Sequence, residues 1–347
     1  MIGISDWLPL WTLFIAIVIV TGTLTYLLII ALQPLLTGYA LAQPNVRSSH
    51  KIPTPQGGGI AVVASIIIVA ILAAILLPPL NVDLVRLGPL FAVTAILAAV
   101  GTSDDVRPME ALSRLLFQTG AVSILIFTLA SDLRVLPTIP WWFERALLII
   151  GCVWFVNLVN FMDGIDWMSV AEVVPVTAAL AVFGLMGALP YDATVVSLAL
   201  CGAMIGFAPF NRPVARLFLG DVGSLPIGLL LGWLLLSLAA QEHLIAALLL
   251  PLYYLADATI TMLRRLIQGE PVTQAHRSHF YQQASDRGFS VYQIVGRVFA
   301  ANIVLCALAG VTLVTASAGL HVIVLAIGCI LVGVLLLNFN GGYRFKN

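Results

Sequence analysis

Trp141-Trp-Phe-Glu-Arg-Ala-Leu-Leu-Ile-Ile-Gly-Cys-Val-Trp-Phe-Val-Asn157-Leu-Val-Asn160-Phe-Met-Asp163-Gly-Ile-Asp166-Trp167 decides the fold of this chain. From Trp141 to Phe161 it is an apolar run of the length that crosses a bilayer as a helix, about 20 residues. It closes with two amides, then two carboxylates around Gly164. A charge beside hydrocarbon is costly and tends to persist only where it has a partner or a task. Asp104-Asp105 and Asp221 also stand at the ends of apolar runs. The three loops are therefore expected to meet at one membrane face as a single acidic site.

Outward from that stretch the composition is of one kind. The 347 residues are 61% hydrophobic and 9% charged, with a mean hydropathy of +1.07. Soluble domains carry about 25% charged residues, so a soluble protein is excluded. The expectation is an all-α polytopic integral membrane protein, read as one transmembrane catalytic domain over residues 1–347. Apolar runs fall near 8–30, 57–78, 84–101, 110–130, 142–161, 169–188, 191–209, 222–240, 243–263, 293–316 and 320–338, which predicts 10–11 spanning helices. The first run, Trp7 to Leu36, lacks a basic leader and is too long for a signal core, so it reads as a retained helix. Cys152, Cys201, Cys306 and Cys329 lie singly in apolar runs and read as packing residues.

Lys and Arg set the orientation, since basic residues concentrate in cytoplasmic loops. With the 42–56 loop inside, thirteen of the sixteen basic residues fall on that side or at adjoining helix ends; only Arg86, Arg134 and Arg145 fall opposite. This places Asp104, Asp105, Asp163, Asp166 and Asp221 at the cytoplasmic face. The N-terminus is then outside and the C-terminus inside.

Each polar constellation admits two readings. Adjacent Asp104-Asp105 repel, so both stay ionised only near a cation or base; Arg107 and Arg114 serve structurally, or the pair binds a divalent metal or acts as a base. Phe218-Leu-Gly220-Asp221-Val-Gly223-Ser224 sets a carboxylate between glycines at a helix start, where backbone approaches a ligand closely and anions are favoured. Hard oxygen ligands spread over several loops suit Mg²⁺ or Mn²⁺. Asn157, Asn160 and Asp163 share a drifting helical face. Buried Asn bonding between helices accounts for one of them but hardly for the whole run. Gln274-Ala-His276-Arg277-Ser-His279-Phe-Tyr281-Gln282 is either an ordinary loop or an anion clamp, with Arg as forked donor and His as donor or acid–base group. Arg47-Ser-Ser-His50-Lys51-Ile-Pro53-Thr-Pro55-Gln56-Gly-Gly-Gly59 is a stiff connector or a basic loop against lipid head groups or a phosphate. Asp257 reads as an ion partner for Arg264-Arg265. An acidic metal site beside an Arg/His clamp at a membrane face suits chemistry on a phosphate ester, with a lipid as one substrate.

Taken together, His50 with Pro53-Thr-Pro-Gln-Gly-Gly-Gly, Asp104-Asp105, Asn157-x-x-Asn160-x-x-Asp163-Gly-x-Asp166, Gly220-Asp221-x-Gly-Ser224 and His276-Arg-Ser-His279 resemble the polyprenyl-phosphate N-acetylhexosamine-1-phosphate transferases of glycosyltransferase family 4. The resemblance spans roughly residues 45–285. It implies transfer of a sugar-1-phosphate from a UDP-N-acetylamino sugar to polyprenyl phosphate with release of UMP, at a bacterial inner membrane. It implies Mg²⁺ or Mn²⁺ on Asp221, with Asn160 as second ligand, and Asp104 or Asp105 activating or positioning the lipid phosphate. Asp163, counted with Asp104 and Asp105 among the catalytic carboxylates, would with Asp166 help hold the nucleotide, Asn157 would contact substrate, and Phe218 would stack on uracil. His276, Arg277 and His279 would meet the diphosphate or sugar, and His50 and Lys51 a substrate phosphate. No nucleic acid is implied, and a homodimer is left open. Three departures stand out: Trp167 where Gly is common, Gln56 where Arg is common, and a thinner final His cluster. The last resembles the branch that initiates O-antigen or related polysaccharides more than the peptidoglycan branch.

Two other classes compete. An ion- or proton-coupled transporter would place acids near mid-membrane in broken helices, whereas here they stand at run ends. A CDP-alcohol phosphotransferase would need Ala-Arg after its Asp-Gly, which this chain lacks.

Overall fold

Every one of the eleven apolar runs is helical in the computed structural model, which describes residues 4–39, 41–42, 53–129, 133–271 and 276–341. In order the elements are α1 (Ile4–Tyr39), β1 (Leu41–Ala42), β2 (Thr54–Pro55), α2 (Gly59–Leu76), α3 (Leu84–Val106), α4 (Ala111–Thr128), α5 (Trp141–Met162), α6 (Met168–Leu185), α7 (Tyr191–Phe207), α8 (Asp221–Ala239), α9 (Leu244–Leu249), α10 (Leu252–Ile267), α11 (Phe280–Asp286), α12 (Val291–Leu313) and α13 (Ala318–Phe339). Among the described residues nine helices are long and apolar enough to cross a membrane, and α7 is a shorter apolar helix. The run expected over 243–263 is broken: α9 ends before Pro251 and α10 begins after it. Proline has no N–H to donate and its ring crowds the carbonyl four residues back. The chain is thus an all-α, multi-pass membrane protein.

The bundle is organised around α8, whose spanning window is 89% buried, against 28% for α4 and α13. It packs against α2, α3, α5, α7 and α9. Its sequence permits this because Gly228 lies on Val156 and Gly232 on Phe155 of α5. In hydrocarbon, helices associate through such close packing of small residues, since lipid tails are as apolar as leucine. Exposed apolar residues such as Ile75, Phe117, Ile150, Ile330 and Leu337 form the outward surface.

The topology sets the site. The C-terminal ends of α3 and α5 and the N-terminal end of α8 share one face, which brings Asp104, Asp105, Asp163 and Asp221 to the same level. β1 and β2 form a short antiparallel ladder, Leu41 opposite Pro55 and Ala42 opposite Thr54. Phe218 N–H donates to Pro55 O at 2.8 Å, so the ladder lies at that same face. Arg86 and Arg145 lie near the starts of α3 and α5, at the opposite ends of those helices. There Glu144 pairs with Arg134 and accepts from Val135 and Leu136 N–H, while Arg145 donates to Leu133 O.

Candidate active site

The first turn of α8 leaves backbone N–H groups without intrahelical partners. Its N-cap is Gly220, at φ 75°, which has no side chain to offer. The capping carboxylate comes from another helix. Asp105 of α3 accepts from Asp221 N–H at 2.9 Å and from Val222 N–H at 3.1 Å. A Cβ on Gly220 would stand 2.5 Å from Asp105 Oδ2, so only glycine admits this cap. Gly59 and Gly101 let α2 and α3 approach the same turn, where an added Cβ would collide with Gly223 and Asp221 backbone respectively. Gln56 completes the joint by donating from Nε2 to Asp105 O at 2.9 Å.

The carboxylates of Asp104 and Asp221 share one cation. Arg114 Nη1 lies 2.8 Å from Asp104 Oδ2 and 3.4 Å from Asp221 Oδ2. Asp104 Oδ1 also accepts from Met109 N–H at 2.6 Å. Asn160 donates from Nδ2 to Asp221 Oδ1 at 2.7 Å and to Ser224 Oγ at 2.8 Å. Among the described residues no three His, Cys, Asp or Glu side chains converge as a metal-ligand group. The donor set still suits a hard cation: Mg²⁺ takes one or two carboxylates and completes its shell with water and substrate phosphate. Two carboxylates meeting on one guanidinium are such a set.

The 160–168 segment flanks this centre. Asp163 caps the end of α5 and accepts from Ser169 Oγ at 2.5 Å. Burial pushes its carboxyl up to about 7 against that hydrogen bond, and the charges of Asp105 and Asp166 add to the rise. Asp166 Oδ2 accepts from Ala215 N–H at 3.0 Å. Trp167 turns the chain with φ 63°, so the residue that departs from glycine occupies a left-handed position. Two bonds hold it there: its backbone N–H donates to Asn211 Oδ1 and its indole Nε1 to Ala208 O, both at 2.7 Å.

Asn157 is placed elsewhere. It donates to Gln118 Oε1 of α4 at 2.7 Å and to Val153 O at 2.8 Å, an interhelical bond one turn below the acidic centre. Phe218 is half-buried, its N–H and carbonyl bound to the 55–58 segment. His50 and Lys51 lie outside the described residues.

The His/Arg loop docks on the acidic one. Tyr281 Oη donates to Phe161 O at 3.0 Å and covers Gly164, where a Cβ would meet the hydroxyl. His279 is 3% exposed, stacked between His276 and Tyr281, with Nδ1 3.1 Å from Asp257 Oδ1. It supports the loop from behind. His276 is more open, and burial beside His279 and Arg265 pulls its imidazole down to about 4. It is therefore neutral at pH 7. Arg277 pairs with Asp286 at 2.8 Å.

Asp257 was legible only as an ion partner for Arg264-Arg265, and the structure gives it another place. It is fully buried and accepts from Phe280 and Tyr281 N–H, from Tyr253 Oη and from Thr261 Oγ1, besides facing His279. Tyr253, Asp257 and Thr261 at i, i+4 and i+8 on one helix were the available signal. Asp257→Ala leaves at least two buried N–H donors unmet, at about 1–3 kcal/mol each. We expect a melting temperature several degrees lower and weakened turnover. An unchanged melting curve in detergent would show that the loop is held by other means.

Comparison with known proteins covers the same stretch of sequence. Residues 87–239 match the model of glycosyl transferase family 4. The chain is 24% identical over 276 residues to the probable undecaprenyl-phosphate N-acetylglucosaminyl 1-phosphate transferase of Bacillus subtilis, covering 75% of each. It is 32% identical over 211 residues to the decaprenyl-phosphate N-acetylglucosaminephosphotransferase of Mycolicibacterium smegmatis; that match covers 56% of this chain and about half, 52%, of the relative. It is 28% identical over 231 residues to the phospho-N-acetylmuramoyl-pentapeptide-transferase of Lactococcus lactis, 62% of this chain and 68% of that one. The matched segment carries Asp104, Asp105, Asn160, Asp163, Asp166 and Asp221, and over residues 87–239 the chain is similar to glycosyl transferase family 4.

Proposed function

We propose that this protein transfers an N-acetylated amino-sugar-1-phosphate from a UDP-sugar to polyprenyl phosphate, releasing UMP. The observation that carries this reading is the meeting of Asp104, Asp221 and Arg114 on one face of the bundle, in a segment whose relatives are polyprenyl-phosphate sugar-phosphate transferases. An oxygen of the lipid phosphate bonds to the sugar-bearing phosphorus. The bond from that phosphorus to the oxygen of UMP breaks, and UMP leaves with the electron pair. Asp104 positions the incoming lipid phosphate. Asp105 holds Asp221 by capping α8. Asp221 is the residue to hold Mg²⁺ or Mn²⁺, supported by Asn160. Such an ion, when bound, neutralises the diphosphate and stabilises the leaving oxygen. Asp163, Asp166 and Phe218 hold the uridine. His276 and Arg277 meet the diphosphate or sugar, and the 276–282 loop chooses the donor. We place this step at the start of O-antigen or a related envelope polysaccharide, at the inner membrane. The test is radiolabelled UMP released from UDP-amino sugars by purified protein. Release should require added polyprenyl phosphate, and transport of the donor without UMP release would sink the reading.

The acidic face is proposed to be cytoplasmic, on the thirteen-to-three distribution of basic residues. Single cysteines at Ser103 and Ser278, in a Cys-free background, should stay unlabelled by an impermeant thiol reagent in intact cells. Both should label after lysis. Labelling of either from outside reverses the topology.

A further inference from the structure

Behind the acidic loop, on the far side of Trp167, is a cavity of ≈ 490 Å³ lined by Trp167, Ile205, Ala208, Pro209, Arg212, Arg216 and Tyr292. It opens between the end of α7 and the start of α12, two helices that both pack on α6. Its walls are of two kinds. Ile205, on the last turns of α7, is 46% exposed and belongs to the hydrocarbon-facing surface. Arg212 and Arg216 are exposed beside it. Arg212 Nε lies 3.4 Å from Tyr292 Oη, a long and weak bond. Arg216 makes no side-chain bond to any described residue. Tyr292 stands edge-on to Trp167 with ring centroids 6.0 Å apart.

Amphipathic aromatics and arginines at the end of membrane helices mark the head-group level, and basic pockets between helices there take anionic lipid head groups. Arginine is suited to a phosphate monoanion because its planar fork bonds two oxygens at once. We propose that this cavity binds the phosphate of an anionic phospholipid, with Arg212 and Arg216 on the phosphate, the Trp167–Tyr292 pair under the glycerol, and Ile205, Ala208 and Pro209 along the chain that enters the bilayer. The pocket is wired to the acidic loop. Trp167 is one wall, and its two bonds to Asn211 and Ala208 hold the 208–215 segment, whose Ala215 N–H in turn holds Asp166. A ligand that favours this arrangement stabilises the folded protein and the Asp163–Asp166 loop together.

The experiment compares the full chain in nanodiscs of pure phosphatidylcholine with nanodiscs containing phosphatidylglycerol, reading thermal stability first and turnover second. Wild type should melt several degrees higher with phosphatidylglycerol, and Arg212→Gln/Arg216→Gln should lose that gain while matching wild type in phosphatidylcholine. Equal gains in both proteins, or no gain in either, overturns the proposal. Inorganic phosphate added to neutral nanodiscs separates the sources: stabilisation of wild type but not of the variant by phosphate alone assigns the pocket to a soluble phosphate and overturns the lipid. Stabilisation by UDP lost in the variant makes the cavity part of the nucleotide site and also overturns it. Because melting is read without substrate, failure here leaves the transferase reading untouched, and failure of that reading leaves the pocket's lipid response to be measured.

Discussion

Asp221→Asn should abolish turnover, by on the order of 10²-fold or more, the scale of losing one preorganised electrostatic contact to a reacting charge. The protein should still insert and fold. Nothing in the helix depends on the lost charge, because the Asp221 N–H still donates to Asp105 and an amide can keep the Asn160 and Ser224 neighbourhood polar. What is lost is half of the anionic pair that Arg114 now bridges. With one carboxylate left, a divalent ion is held weakly and the diphosphate of the donor stays unneutralised. Chelator-treated membranes of the wild type should be equally inactive and recover with Mg²⁺ or Mn²⁺. Full turnover by Asp221→Asn after chelation would remove Asp221 and the metal from the mechanism together.

The second large effect separates the two adjacent aspartates. Asp105 spends both oxygens on the start of α8, and its charge faces the positive end of the helix dipole. Asp105→Asn can accept with one oxygen only, leaving a buried N–H unmet at about 1–3 kcal/mol, and should lower the melting temperature by several degrees. Asp104 has a different surrounding. It sits between Arg114 and the Met109 amide, and near enough to Asp221 to share that arginine, so its removal also relieves repulsion. Asp104→Asn should melt close to wild type yet lose turnover on the order of 10²-fold, the scale of removing a positioned proton-transfer or orienting carboxylate. The measurements are thermal melts and initial rates at saturating lipid phosphate. If Asp104→Asn melts lower than Asp105→Asn, the structural and chemical roles are exchanged.

Much of this was legible in the residues. Hydrophobic runs of spanning length can satisfy their backbone only as helices in lipid, so the all-α bundle and its eleven helical runs follow from composition and spacing. Carboxylates at run ends, with basic residues gathered on their side, were enough to expect one shared face. That Asp104-Asp105, Asn160–Asp166 and Asp221 would meet was an expectation from their places at run ends, and the structure brings Asp104, Asp105, Asn160 and Asp221 within bonding distance of one another or of shared partners.

The structure alone decided what each polar group is spent on. Asp104 and Asp105 are adjacent and chemically identical, yet successive helical residues point about 100° apart: one turns to the amides of α8 and the other to Arg114. Asn157 and Asn160 share a face, but one turn of helix separates them, and the lower meets Gln118 of α4. His279 and Asp257 are 22 residues apart and join only because α11 folds back over α10. The break at Pro251 was visible as a residue but not as an end, because proline is tolerated in membrane helices where neighbours satisfy the freed carbonyl. Sequence determined which groups lie at the membrane face, since burial of charge in hydrocarbon is a local cost. Tertiary packing determined their partners, since a hydrogen bond depends on contacts between helices that spacing along one chain does not contain.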